Sequence, residues 1–488
     1  MSTVRPIRIK AGSASLTRPR SEQMLITRDF TGNSHMKIAK LLAAASIAVT
    51  YGCHVYAAVS AEEAAKLGTE LTVFGAEAAG SADGQIPAYT GGISQPPADF
   101  KPNSGKWADP FAGEKPILTI TAQNWQQYAD KLSESSKELF KRYPDYKMLV
   151  YPTHRSVSFP AWFGENCKIN AVKAKLVDGG QEIEDAFGCV PFPIPKTGEE
   201  ALYNYIMRFV GTKHKNFVNT WLMDSSGNPV LTGSFKSSLY FPYYDPALGR
   251  DGFKKTDGVW YQVENDYAAP ARLKGDTTLF WNYMSSSRDW PGWEYAPGQR
   301  RTRVAPDLAY DTPNPGYSGV ITMDDIQLMY GKLDRWKAKL LGTREMYIPY
   351  NGYKWEYTVP DKEMLTPHFP NANQIRWELH RVRVIELTLK PGARHLYSKK
   401  ILYTDEDLGG GMMDAYDQAG KLYRGGFEDT VPAYDMKVPY SLGNWFFDFN
   451  SGVYLLGSHP SDTAGIFFNV DFSSGLFTPE RMQSTGIR

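Results

Sequence analysis

The chain has 488 residues, with 54 Lys and Arg against 53 Asp and Glu, and 14% of it is aromatic. That balance lacks the basic surplus a nucleic-acid surface requires, so no nucleic-acid partner is expected. So much aromatic side chain, falling in short alternating runs, favours sheet over a helical bundle.

Residues 1–35 are basic and polar without a sustained apolar period, and are expected to be a disordered stretch ahead of the true start at Met36. From Met36 the pattern changes. Lys37 and Lys40 precede an apolar run, Leu41 to Thr50, broken only by Ser46, and Val55-Tyr56-Ala57 supplies small residues at the −3 and −1 positions of a cleavage site. The run is far shorter than the roughly 20 residues that span a bilayer. Residues 36–57 are therefore read as a secretory signal cleaved after Ala57, which places the mature chain in the periplasm. A competing reading attaches lipid at Cys53, although Tyr51 fits a lipoprotein signal poorly.

The segment 1–57 carries eight Lys/Arg and two Asp/Glu, so the remainder has a net charge of −5. Beyond it only Cys167 and Cys189 remain. In an oxidising compartment they are expected to pair, closing a loop of about 22 residues worth roughly 3 kcal/mol; two separate buried thiols are the alternative. No histidine falls near them at ligand spacing, so no zinc site is expected.

Ser60 to about Leu67 reads as a short helix capped by Ser60. Residues 58–120 are rich in Gly and Pro and read as an ordered strap over a β-rich domain at 121–488. Thr121 is expected to cap a helix running to about Arg142. Thr197 and Glu200 form a capping box for a second helix ending at Gly211. After Gly211 the period switches to two. Phe217–Met223 and Val230–Tyr240 flank the turn Ser225–Asn228, and Val259–Val263 and Thr277–Met284 continue the pattern. Ile375–Leu389 and His395–Thr404 form a long hairpin around Pro391-Gly392-Ala393, each arm pairing for about ten residues. The expected fold is β-rich α+β, a strongly curved antiparallel sheet or incomplete barrel with helices plugging it.

Signatures of hydrolases, nucleotide-binding loops and zinc proteases are missing from the sequence. Glu378 and His380 share a strand face, with Asp405-Glu406-Asp407 after the partner strand. They could form a carboxylate–histidine acid/base or metal site; a salt-bridge ladder explains them more simply. Asp324-Asp325 after Thr322 reads as a helix N-terminus. The apolar strand residues Trp221, Met223, Trp260, Leu279, Trp281 and Tyr283 are the candidates for lining a cavity, since curved sheets of this kind enclose apolar ligands; a thick conventional core is the alternative.

Several stretches together resemble one family. They are Leu71–Glu77, Ala82–Gly92, Pro191–Lys196, Tyr295–Arg303, Arg376–Val382, Arg394–Tyr397, Tyr403–Asp407 and Phe477–Glu480. They resemble domain-of-unknown-function family 1329, which is similar to outer-membrane lipoprotein-sorting proteins of the LolA/LolB type. The resemblance implies an unclosed barrel around an apolar cavity, with no catalytic residue and no cofactor. It implies a carrier of a hydrophobic molecule, a lipid or lipoprotein acyl group. Its partners would be an exporter of the resistance-nodulation-division type and an outer-membrane protein. Arg301 and Arg303 would then meet an anionic head group or an acidic partner; a solvated strand edge is the alternative. A non-carrying adaptor of the exporter and a periplasmic hydrolase using Glu378, His380 or Asp405 are the other functional readings. Two positions depart from the family pattern: Leu408-Gly409-Gly410-Gly411 stands where Ser-Trp is expected, and Arg383 where a large apolar residue is expected.

Overall fold

The computed structural model describes residues 59–485, apart from 94, 306–309, 441 and 474. The expected leader at 36–57, the segment before it and Cys53 lie outside the described residues.

Period-two alternation produces strands that join, among the described residues, into one sheet of sixteen. The sheet runs from an edge at Leu118–Thr121 through Lys147–Val150, Arg376–Leu389 and Lys399–Asp405. It continues through Gly411–Tyr416, Leu422–Glu428, Asn444–Asp448 and Val453–His459 to Lys213–Met223 and Pro229–Tyr240. Val259–Ala269, Thr277–Tyr283 and Gly292–Ala296 then lead to the far edge, Arg301–Val304. The first and last strands do not meet, so the sheet is curved but unclosed. Its pairings are antiparallel except where Lys147–Val150 meets Arg376 and Trp377 in parallel.

Local chemistry explains the departures from expectation. Thr121 ends the edge strand, where its N–H donates to Asn124 Oδ1. A short 3-10 turn, Trp125–Lys131, follows, and Leu132 is extended before Ser133 caps a separate helix, Glu134–Arg142. The Ser133 side chain accepts the Ser136 N–H, and a free cap of this kind breaks one apparent helix into two. The capping box at Thr197 and Glu200 starts the helix Gly198–Ile206, which ends before Gly211. In the long hairpin only Val382 to Thr388 pair with Asp405 to Lys399. His395 and Tyr397 leave the ladder to bond Asp324 and Asp325, while Trp377–Arg381 pairs instead with the strand Trp336–Pro349.

Cys167, on the helix Ala161–Lys173, is disulfide-bonded to Cys189, with Cα atoms 5.0 Å apart. The Gly/Pro-rich N-terminal segment is held by two arginines of the sheet, Arg381 and Arg383, and by Arg155 from a loop. Arg383 Nη2 donates to Gly75 O at 2.8 Å, Arg381 to Ala79 O at 2.7 Å and Arg155 to Ala78 O at 3.3 Å. Arg383 is therefore a buried clamp on the strap. Gly75 has φ 89°, and a Cβ there would collide with the Pro193 carbonyl, so two of the recurring motifs pack backbone to backbone.

Candidate functional site

Five adjacent strands, from Lys213–Met223 to Gly292–Ala296, wall a cavity of about 150 Å³ on the sheet's inner face. Register decides which side chains lie together there. Asn216 pairs with Ser237, Ser237 with Asn265, Asn265 with Thr278, and Thr278 with Glu294, making a continuous polar row across five strands. On one side of it Val218, Phe235 and Tyr267 form a second row; on the other stand Leu239, Val263 and Phe280. Ser237 Oγ donates to Asn265 Oδ1 at 2.6 Å, and Asn265 Nδ2 donates to Thr278 Oγ1 at 3.1 Å. Asn216 Nδ2 donates to the Tyr440 hydroxyl at 3.1 Å, while Asn216 Oδ1 and Asn444 Oδ1 have no protein partner. The lining includes no Lys, Arg or His, and Glu294 is its single carboxylate among the described residues.

Residues 310–330 roof this chamber as a plug, contributing Asn314, Tyr317, Met323, Ile326, Gln327 and Tyr330. The plug is anchored through charge. Asp325 is fully buried, 2.9 Å from Lys400 Nζ and 3.6 Å from Arg424, and accepts the Tyr397 hydroxyl at 2.6 Å. Burial works against its charge, but Lys400 and Arg424 outweigh it and hold the carboxyl well below the usual range. Asp324 lies 2.8 Å from His395 Nε2. The expected helix N-terminus at Thr322 exists as a capping box on a short 3-10 turn, and its two carboxylates also serve these tertiary pairs.

Beyond Phe280, Met323 and Tyr330 lies a second recess of about 500 Å³, sharing those three residues with the chamber. The Tyr330 ring stands 6.5 Å from Tyr261 on the chamber side and 6.2 Å from Trp290 on the recess side, and its hydroxyl donates to Asn282. The recess is lined by Trp281, Tyr283, Arg288 and Lys332 among others. Both cations have carboxylate neighbours, Arg288 with Asp257 at 2.6 Å and Lys332 with Asp289 at 3.7 Å.

The residues expected to line one cavity are dispersed. Trp221 donates its indole N–H to Asp361 at 2.7 Å, and Met223 and Trp260 belong to the main core. Leu279 joins Tyr295, Phe477 and Met482 in a separate small core, and Trp281 donates to Phe477 O at 2.9 Å. Trp281 and Tyr283 border the outer recess. The chamber takes Thr278 and Phe280 from the same strand, one step out of phase with Leu279 and Trp281. Arg301 and Arg303 are exposed on the edge strand opposite Ala296 and Glu294.

The Glu378–His380–Asp405 group is brought together, in the interior. Glu378 is fully buried and accepts from Arg376 at 2.6 Å, Asn351 at 3.0 Å and the His154 backbone at 2.8 Å, with His380 Nε2 3.1 Å away. Burial opposes its charge, but His380 and Arg376 outweigh it and depress its pKa. Burial, and then the Asp407 charge, raise Asp405 to about 6. Ligand atoms of His380, Asp405 and Asp407 lie within 4.8 Å of one another. Arg155, however, grips both Asp407 oxygens, at 2.8 and 2.6 Å, and supplies the positive charge a metal would bring. The group lies in the main interior beneath the strap, and its side chains line neither the chamber nor the recess.

Sequence reasoning missed the polar row and the Lys400–Asp325 pair. Inward Asn, Ser and Thr on otherwise apolar strands were the available signal for the first.

The sequence matches the family described as "Protein of unknown function (DUF1329)" over residues 119–483. It is 39% identical over 445 residues to an uncharacterized protein of Pseudomonas aeruginosa, covering 89% of this chain and 95% of that one. Among solved structures it is similar to a DUF1329 family protein from Desulfovibrio piger, with TM-score 0.40 and 16% identity, covering 59% of this chain and all of that one. It is also similar to a putative outer membrane lipoprotein-sorting protein domain from Vibrio parahaemolyticus, with TM-score 0.38 and 12% identity, covering 58% and 97%. A LolA superfamily protein from Nitrosomonas europaea gives TM-score 0.35 and 13% identity, covering 59% of this chain and all of that one. The extent of the family match and of the Pseudomonas relative places this chain in the DUF1329 family.

Proposed function

We propose that this protein is a periplasmic carrier that holds a hydrophobic molecule under the plug and passes it between membrane partners. By family resemblance these are an exporter of the resistance-nodulation-division type and an outer-membrane protein. The observation that carries the reading is the chamber itself, a largely apolar space kept open between the sheet and an anchored plug. Protein interiors are close-packed, and a space of this kind is costly to maintain unless something fills it. Each methylene moved from water into it gains about 0.8 kcal/mol, so binding requires no nucleophile and no metal.

Two further features agree with this reading. The Met36–Ala57 pattern and the Cys167–Cys189 bridge suit an exported protein. No helix among the described residues is long and apolar enough to cross a membrane. The Glu378–His380–Asp405 group is assigned a structural role, since its carboxylates are held by Arg376, His380 and backbone N–H groups away from the chamber.

The test is native mass spectrometry with lipid extraction on protein purified from an expressing periplasm. A co-purifying apolar molecule at one per chain is expected, lost when Val218→Trp fills the chamber. A clean unliganded mass, together with failure to take up an apolar fluorescent probe, would overturn the reading.

A further inference from the structure

We infer that the chamber selects an uncharged amphiphile, an apolar molecule bearing a hydroxyl, ester or amide and no carboxylate or phosphate. The inference rests on the carrier reading above and names the chemistry of its cargo.

The polar row is the first observation. A pocket meant only for a hydrocarbon chain would be apolar across its floor. Here Asn216, Ser237, Asn265 and Thr278 run through the middle of it, flanked by apolar rows on both sides. Such a floor can solvate one polar group of a ligand while apolar contacts hold the rest.

Charge is the second. An anion entering the chamber would lose its hydration without gaining a cation, because no Lys, Arg or His lines it among the described residues and Glu294 would repel it. Neutral polar groups avoid that cost when they are hydrogen-bonded.

Size completes the description. A cavity of about 150 Å³ has room for a guest about the size of benzene. The chamber therefore holds the polar group and its immediate surroundings, and a longer apolar body would reach the recess only with Tyr330, which stands between the two spaces, swung aside. Together the two spaces fall within the range of about 300–1,000 Å³ typical of small-molecule sites.

The experiment compares 1-decanol with decanoate at pH 7.5 by calorimetric titration of the purified protein, with N-phenyl-1-naphthylamine uptake as an independent measure of an accessible apolar site. Decanol is expected to bind at least about tenfold more tightly than decanoate. Combining Ser237→Val with Asn265→Leu is expected to weaken decanol at least about fivefold and to narrow the decanol-to-decanoate ratio. Equal affinity for decanol and decanoate would overturn the inference while leaving the carrier reading intact. So would unaltered decanol binding by the double variant. If the wild-type protein takes up neither the dye nor either ligand, the carrier reading itself fails. Should the double variant not fold, the decanol-to-decanoate ratio of the wild-type protein decides the matter alone.

Discussion

The strands from Lys213–Met223 to Gly292–Ala296 meet the plug across a chamber, whereas Lys399–Asp405 and Leu422–Glu428 meet the same plug through solid contact. In the solid region the strands bring charge inward and pair it. Lys400 and Arg424 reach Asp325, and Arg208 reaches Glu428 at 2.8 Å, with Tyr205 donating to Glu428 and to Gln327 O. Gly426 lies so close to plug residue Leu328 that a Cβ would stand 2.9 Å from its Cδ2. In the hollow region the inward groups are apolar or neutral, apart from Glu294. The difference teaches how one short segment can be fixed at one end and overhang a space at the other. Ion pairs on the solid side hold the plug, so the hollow side does not need to pack against it fully.

The largest expected effect comes from breaking that anchor. Asp325→Ala leaves Lys400 buried without its carboxylate and Arg424 with Asp448 alone, and is expected to cost about 3–5 kcal/mol in denaturant unfolding. If the variant lost less than about 1 kcal/mol, the plug would not be held by charge, and the contrast between the two regions would fail.

A smaller effect separates two buried carboxylates by sign. The pKa of Asp405 is raised to about 6 by burial and by Asp407, above its ordinary value of 3.8. A carboxyl shifted upward stabilises the fold while protonated; that contribution is complete below about 3.8 and is lost as pH rises through about 6. Asp325 is shifted downward, so its contribution is present above its ordinary pKa of 3.8 and is lost as pH falls below it. Asp429, raised to about 7 by burial, has the same sign as Asp405, so Asp405 is isolated by comparing the wild type with Asp405→Asn. Between pH 7.5 and 5 the wild type is expected to gain about 1 kcal/mol that the variant does not. Parallel urea titrations at the two pH values measure the difference. Identical pH dependence in the two proteins would mean that Asp405 is ionised throughout.

Much of the frame was legible because it depends on local signals. The capping box at Thr197, the turn at Ser225–Asn228 and the pattern on Val259–Val263, which opens the strand Val259–Ala269, all act within a few residues. The disulfide followed from counting cysteines. The chamber was not legible, because it depends on register. Leu279-Phe280-Trp281 is apolar on both faces, and only the pairing of Phe280 with Val263 shows which face turns inward. A shift of one residue exchanges the two faces, so large residues drew attention to Leu279 and Trp281 while the chamber received Thr278 and Phe280. The polar row was hidden for the same reason, since Asn216 and Glu294 are 78 positions apart and meet only through four successive pairings. Tertiary contacts also overrode local pattern at His395 and Tyr397, whose β-like sequence is pulled from the ladder by Asp324 and Asp325.

The smallest effect tests the contrast most directly, because it adds bulk to each region. Val218 lines the chamber, so a larger side chain there has that space to grow into. Val218→Phe is expected to change stability by less than about 1 kcal/mol while reducing ligand uptake, since the apolar surface it buries offsets the side-chain entropy it loses. Ala415 is fully buried on the solid side, opposite Arg424 and Lys400. Adding only two methyl groups with Ala415→Val is expected to cost about 1–3 kcal/mol, because a close-packed interior accommodates them by straining rotamers and shifting backbone. The prediction is therefore that the larger addition is the cheaper one. The reverse order in thermal unfolding would mean that the chamber closes in solution, and that the space under the plug is not held open by the fold.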